Sequence, residues 1–126
     1  PGSFIMGSPQ DEAGRAYWEG EREVTLSHEY YLGATPVTHR QFEQVLPGFQ
    51  RQLAHHPTFE DAPVDSVQWQ SATEFCGNLT ANDRDARILS RDWDYRLPTE
   101  TEWEYGCRAG TSDATYGPQN SNAWPF

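Results

Sequence analysis

The sequence predicts an α+β fold rich in loops, on three observations. Ala72, Phe75, Cys76 and Leu79 fall at i, i+3, i+4 and i+7, the spacing of one apolar helical stripe. Two short runs, Ser3 to Ser8 and Val24 to Tyr31, have the length and partial alternation of strands. Ten glycines and nine prolines in 126 residues punctuate the rest, as turns and loops require.

The elements follow in chain order, with each helix end placed to within three residues. Ser3 to Ser8 is a short apolar run after Gly2 and reads as a strand. Pro9 to Arg22 is charged and broken by glycine, hence a loop. Val24, Leu26 and the Tyr30-Tyr31 pair suggest a strand with one buried face. Gly33 and Pro36 mark a bend. A first helix is predicted over Thr38–Leu46: Thr38 and Gln41 can form a capping box, Phe42, Val45 and Leu46 share a face, and Pro47-Gly48 stops it. Phe49 to Pro63 is loop, and Val64, Val67 and Trp69 fall in a short extended segment. The second helix is predicted over Ser71–Asn82, with Ser71 and Glu74 as its capping box. Asn82 to Trp93 is a polar connector.

Leu97 precedes Pro98 and is therefore pushed out of the α region. Thr99 then caps a third helix, Thr99–Ala109, with Glu102 three residues on and Gly110 at its end. This helix places Trp103, Gly106 and Cys107 on one face, and pairs Glu104 with Arg108. Thr111 to Phe126 has turn composition throughout. The stripes Phe42/Val45/Leu46 and Ala72/Phe75/Cys76/Leu79, with Trp103, are the positions expected to be least exposed.

Composition narrows the function classes. One domain is the natural expectation for 126 residues. Only 36% of residues are hydrophobic, and mean hydropathy is -0.84. Five Trp, six Tyr and six Phe partly compensate, since each aromatic buries a large area. The net charge is -10, and all nine basic residues are arginine. That balance argues against nucleic acid, which needs a basic footprint, and against an anionic membrane surface. Without lysine there is no Schiff base and no P-loop lysine in these residues. No apolar run approaches the ~18 residues of a membrane span. Two cysteines do not make a disulfide framework.

The stretch Tyr95-Arg-Leu-Pro-Thr-Glu-Thr-Glu-Trp-Glu-Tyr-Gly-Cys-Arg-Ala-Gly-Thr111 carries the strongest resemblance in the chain. It resembles the R-L-P-T-E-x-E-W-E-Y-x-x-R-x-G motif of the formylglycine-generating-enzyme, or sulfatase-modifying-factor, family. Further blocks are similar: Pro1 to Ser8, Glu19 to Ser27, Tyr31 to Thr38 with Gln41-Phe42, Pro63 to Cys76, and Asn122-Ala123-Trp124. Arg51 to Asp61 is the least family-like part. The resemblance implies a bacterial protein with the C-type-lectin-like α+β fold of this family. It also implies that residues 1–126 are the N-terminal part of such a domain, with its later "G-N-V-W-E-W", "R-G-G-S" and "G-F-R" blocks missing. Trp69, Trp103, Trp124 and Phe126 are then candidates for exposure where later residues would pack.

The family's oxidases convert a substrate-protein cysteine to formylglycine with copper and dioxygen, maturing sulfatases. The implied partner is a sulfatase-type cysteine-containing protein. The copper-holding cysteine pair belongs to the later half, so copper is implied only if that half carries it. Cys76 and Cys107 match earlier positions and read as buried small apolar residues on helix faces, or as halves of disulfides to later cysteines. No catalytic residue is assigned in this chain. The resemblance implies a structural calcium at Asn122, through its side-chain oxygen, and at Ala123, through its carbonyl; hard oxygen ligands suit that ion. A non-catalytic ligand- or protein-binding scaffold on the same fold is the alternative function.

Among other chemistry-bearing residues, His28, His39, His55 and His56 form no metal-ligand spacing and read as surface or capping histidines. Glu100, Glu102 and Glu104 resemble a carboxylate cluster. However, Glu102 is claimed by the cap and Glu104 by Arg108, so a structural role is expected. Arg96 is expected to be a buried tether to an acid or a carbonyl.

Overall fold

A computed structural model describes residues 1–12, 14–49 and 60–111. Among them the chain forms two strands and three helices, β1 (Gly2–Met6), β2 (Arg22–Leu26), α1 (His39–Val45), α2 (Trp69–Asp85) and α3 (Glu100–Arg108). This is the α+β composition that the periodicity predicts. The chain divides into two compact units, Pro1–Leu32 with Pro98–Phe126, and Gly33–Leu97.

The first unit holds the sheet and α3. Strands β1 and β2 pair antiparallel with Phe4 opposite Val24 and Met6 opposite Arg22. Alternation puts Gly2, Phe4 and Met6 on the sheet's inner face, and Met6 is buried. The outer face carries Ser3, Ile5, Glu23 and Thr25, with Ser3 and Thr25 hydroxyls 2.8 Å apart. Strand β2 stops at Leu26, so Tyr30 and Tyr31 lie outside the strand expected to reach them. Tyr105 of α3 meets Phe4 edge-on, with ring centroids 5.3 Å apart. Gly2 lies under the same ring, where any Cβ would sit 2.9 Å from the Tyr105 hydroxyl.

The second unit holds α1 and α2. Thr38 caps α1, and the Thr38/Gln41 capping box is formed in both directions. Phe42 of α1 and Phe75 of α2 stack with centroids 4.8 Å apart and are the buried apolar residues of this unit among the described residues. Phe49 adds an edge contact to Phe42 at 4.7 Å. Val45, Leu46, Ala72, Cys76 and Leu79 are half-buried around this pair.

Helix α2 runs Trp69–Asp85, within three residues of the expected start and end, but its start is built differently from the expectation. It starts at Trp69, with Gln68 as N-cap and no side-chain cap bond, so the Ser71/Glu74 box does not form its start. Trp69 is thus the first helical residue and not part of an extended segment. The physical reason lies upstream. Val64 N–H bonds to Val37 O, Ser66 turns the chain with φ 53, and the Gln68 carbonyl is then placed to accept from Ala72 N. At the other end α2 runs to Asp85. Arg87 takes the left-handed conformation with φ 60, its N–H donates to Arg84 O, and Ile88 N–H donates to Asp83 O. This is a Schellman stop built without glycine.

Candidate functional site

The segment Tyr95–Thr111, the most distinctive in the sequence, builds contacts within each unit. In the second unit, Tyr95 N–H donates to Thr80 Oγ1 at 2.9 Å, and Thr80 in turn donates to Cys76 O at 2.8 Å. Thr80 is buried, so these bonds satisfy a hydroxyl that would otherwise be costly. The Tyr95 hydroxyl donates to Asp83, which raises its pKa, with partial burial adding to the effect. Arg84 donates to the carbonyls of Arg91 and Trp93 and closes the connector after α2. Arg96 is exposed, not buried; it donates to the adjacent Leu97 carbonyl at 3.2 Å.

In the first unit the same segment becomes α3. Thr99 and Glu102 form the capping box that the spacing predicts. Glu102 is buried, with its carboxylate accepting from Thr99 N at 2.8 Å. Its backbone carbonyl accepts from the Tyr30 hydroxyl at 2.8 Å. Burial, and then the nearby charge of Glu102, push the Tyr30 phenol above its ordinary pKa.

Glu104 and Arg108 form the predicted pair and, together, clasp Gly7. Glu104 Oε1 accepts from Gly7 N at 2.8 Å and from Arg108 Nε at 2.9 Å, while Arg108 Nη2 donates to Gly7 O. Both backbone groups of one residue are thereby held by an ion pair that is itself largely shielded from solvent. Gly7 has φ +97, and a Cβ there would lie 2.6 Å from Gly20 O. Sequence reading missed Gly7 and Tyr30, because each meets α3 only through the fold.

Cys107, expected inside, is outside, and Trp103 takes the exposed one of its two expected placements. Trp103 is 57% exposed and Cys107 is exposed, so the outward side of α3 is the one that carries them. The capping carboxylate of Glu102 and the Gly7 clasp set which side turns inward. Leu32 lies against Gly106, where a Cβ would meet its Cδ2 at 2.7 Å. Trp69, one of the candidates for exposure, is also exposed; Trp124 and Phe126 lie outside the described residues.

The two cysteines are free. Cys76 is half-buried, and desolvation raises its thiol pKa. A cysteine binds Cu(I) as its thiolate, and the desolvation of Cys76 works against that form. Among the described residues no group of three or more His, Cys, Asp or Glu side chains is placed to hold a metal. Asn122 and Ala123, the calcium candidates, lie outside the described residues. So do His55 and His56. His28 meets Ser27 Oγ at 2.8 Å on the surface. His39, expected as a surface or capping histidine, is buried at the first position of α1, with Nδ1 making no hydrogen bond among the described residues. Among the described residues no helix is long and apolar enough to cross a membrane.

Comparison with known proteins adds three findings. The family model described as sulfatase-modifying factor enzyme 1-like domain matches residues 1–125. A protein named chaperone protein LppX, from Paenibacillus barcinonensis, is 28% identical over 131 residues, covering 81% of this chain and 44% of that protein. The chain thus spans less than half the length of this curated relative. No solved structure matches it.

Proposed function

The chain belongs to the sulfatase-modifying factor enzyme 1-like domain family over residues 1–125, and from that membership we propose that the whole protein oxidises a cysteine of a substrate protein to formylglycine. The observation that carries this reading is the extent of the match, which includes the Tyr95–Thr111 segment. That segment caps α3 and clasps Gly7, so these residues serve as framework. In this reading the framework is part of a C-type-lectin-like domain. The thiolate pair that holds copper comes from residues outside this chain, and calcium binds at Asn122 and Ala123. Small cores support the idea of further packing: Met6 in one unit, and Phe42 and Phe75 in the other, are the buried apolar residues described.

A second reading, a protein-binding scaffold without oxidase chemistry, is favoured by one feature. Leu32 and Trp103 leave apolar surface on the outer side of α3. The relative named a chaperone protein is consistent with it. One experiment separates the two. The full-length protein is incubated with a sulfatase-type cysteine peptide, copper and oxygen, and the peptide is weighed by mass spectrometry. Exchange of the thiol for an aldehyde supports the oxidase. Saturable peptide binding with the thiol unchanged supports the scaffold and defeats the oxidase reading.

A further inference from the structure

The loop between β1 and β2 presents two aromatic rings to solvent on a fixed turn. Tyr17 is 87% exposed and Trp18 is 72% exposed. They are the central residues of a turn closed by Glu19 N–H on Ala16 O at 3.1 Å. The turn is closed a second time by the Glu19 carboxylate on Ala16 N at 2.9 Å. Its base is held by Ser8 N–H on Glu19 O at 2.8 Å and by Arg15 Nε on Ser8 O at 2.9 Å. Central turn positions ordinarily take glycine, proline, asparagine or aspartate. Two large aromatics there gain no burial for the fold. Their rings meet each other edge-to-face, with centroids 4.8 Å apart.

The loop and its flanks are acidic in sequence. Residues 11–23 carry five carboxylates, Asp11, Glu12, Glu19, Glu21 and Glu23, against two arginines. Both arginines are engaged, Arg15 with Ser8 O and Arg22 with the Met6 sulfur at 3.2 Å. None of the five carboxylates has a salt bridge among the described residues. A second copy of this chain, at net charge -10, would meet like charge, and so would a nucleic acid.

We propose that the Tyr17–Trp18 turn is a docking site for an arginine-bearing segment of a protein partner. The guanidinium stacks on the Trp18 and Tyr17 faces, where the negative quadrupole of an aromatic ring attracts a cation. The neighbouring carboxylates speed encounter and select against neutral and anionic segments. Because the turn is braced at its base, its backbone loses little freedom on binding, which favours affinity. The proposal does not depend on whether the whole protein oxidises a cysteine.

The test uses the full-length protein and an unstructured peptide of alternating arginine and glycine, with binding followed by calorimetry. A matched peptide carries citrulline in place of arginine, which keeps the shape and removes the charge. We expect the arginine peptide to bind, the citrulline peptide to bind about tenfold more weakly or not at all, and Tyr17→Ala/Trp18→Ala to lose a similar factor. Binding should also weaken as salt rises. The rings are exposed, so melting temperature should be unchanged in that variant; Trp18→Phe should retain part of the affinity. No binding by the unaltered protein, equal binding of the citrulline peptide, or full binding by the double variant would each overturn the proposal. So would a Trp18 that is shielded from aqueous quenchers in the full-length protein, read as the difference in quenching from Trp18→Phe.

Discussion

Glu104→Ala tests whether the family segment works as a clasp. The carboxylate accepts from Gly7 N at 2.8 Å and Arg108 Nε at 2.9 Å, and pairs with Arg108 Nη2 at 2.8 Å. The side chains of Arg108 and Glu104 are only 15% and 21% exposed, so water replaces these bonds poorly. A hydrogen bond to a charged group contributes about 1.5–3 kcal/mol net, and stranding a shielded donor adds to the loss. We expect Glu104→Ala to cost about 2–4 kcal/mol. Glu104→Gln keeps an acceptor for Gly7 and loses the charge, so about half of that is expected. Glu100→Ala, at an exposed first-turn carboxylate, serves as control at about 0.3–1 kcal/mol from the helix dipole. Urea unfolding of the full-length protein gives these values, with an unchanged slope showing that the same transition is followed. A double-mutant cycle with Arg108→Ala should give a coupling of at least about 1 kcal/mol. A cost for Glu104→Ala no larger than that of Glu100→Ala, or a coupling near zero, would refute the clasp.

Further outcomes follow from single positions. Gly7→Ala forces a Cβ to 2.6 Å from Gly20 O at φ +97, and should destabilise by more than the ~1–2 kcal/mol of the left-handed conformation alone. Arg87→Gly relieves the left-handed Schellman position after α2, and should raise stability by about 0.5–1 kcal/mol in the same urea experiment. The raised pKa of Tyr95 makes its contribution to stability full below the ordinary tyrosine value of 10.0. That contribution fades as pH rises through the folded value, and ultraviolet titration should show Asp83→Asn lowering it. Cys107, exposed, should react with a thiol reagent well before Cys76, whose thiol is half-buried and harder to ionise; equal rates would contradict both placements.

Two of the three predicted helix caps were legible from partners that lie within one turn of chain. The boxes at Thr38/Gln41 and Thr99/Glu102 form as their spacing predicts. Ser71 and Glu74 have the same spacing and fail, because the start of α2 is decided by the Val64–Val37 bond and the left-handed Ser66, neither of which periodicity reports. The stop of α2 was equally hidden, since Arg87 takes a conformation that sequence reading assigns to glycine or asparagine. The Phe42 and Phe75 stripes were legible because each helix buries its apolar side against the other.

Helix α3 departs from that logic, and the departure explains the missed side chains. Its inward residues are the carboxylates Glu102 and Glu104, as well as Tyr105, while Trp103 faces outward. A hydrophobic stripe would turn Trp103 in, but a helix whose acids have backbone partners gains more by turning them in. Those partners are the helix's own Thr99 and, 97 residues away in sequence, Gly7. The local partner could be read from the spacing, and the distant one could not. Within the Tyr95–Thr111 segment, Thr99, Glu102, Glu104 and Arg108 hold backbone, and the outer side of α3 and the Tyr17 and Trp18 rings take no part in that framework. Differences in what members of such a family bind can arise on those surfaces without disturbing the clasp beneath them.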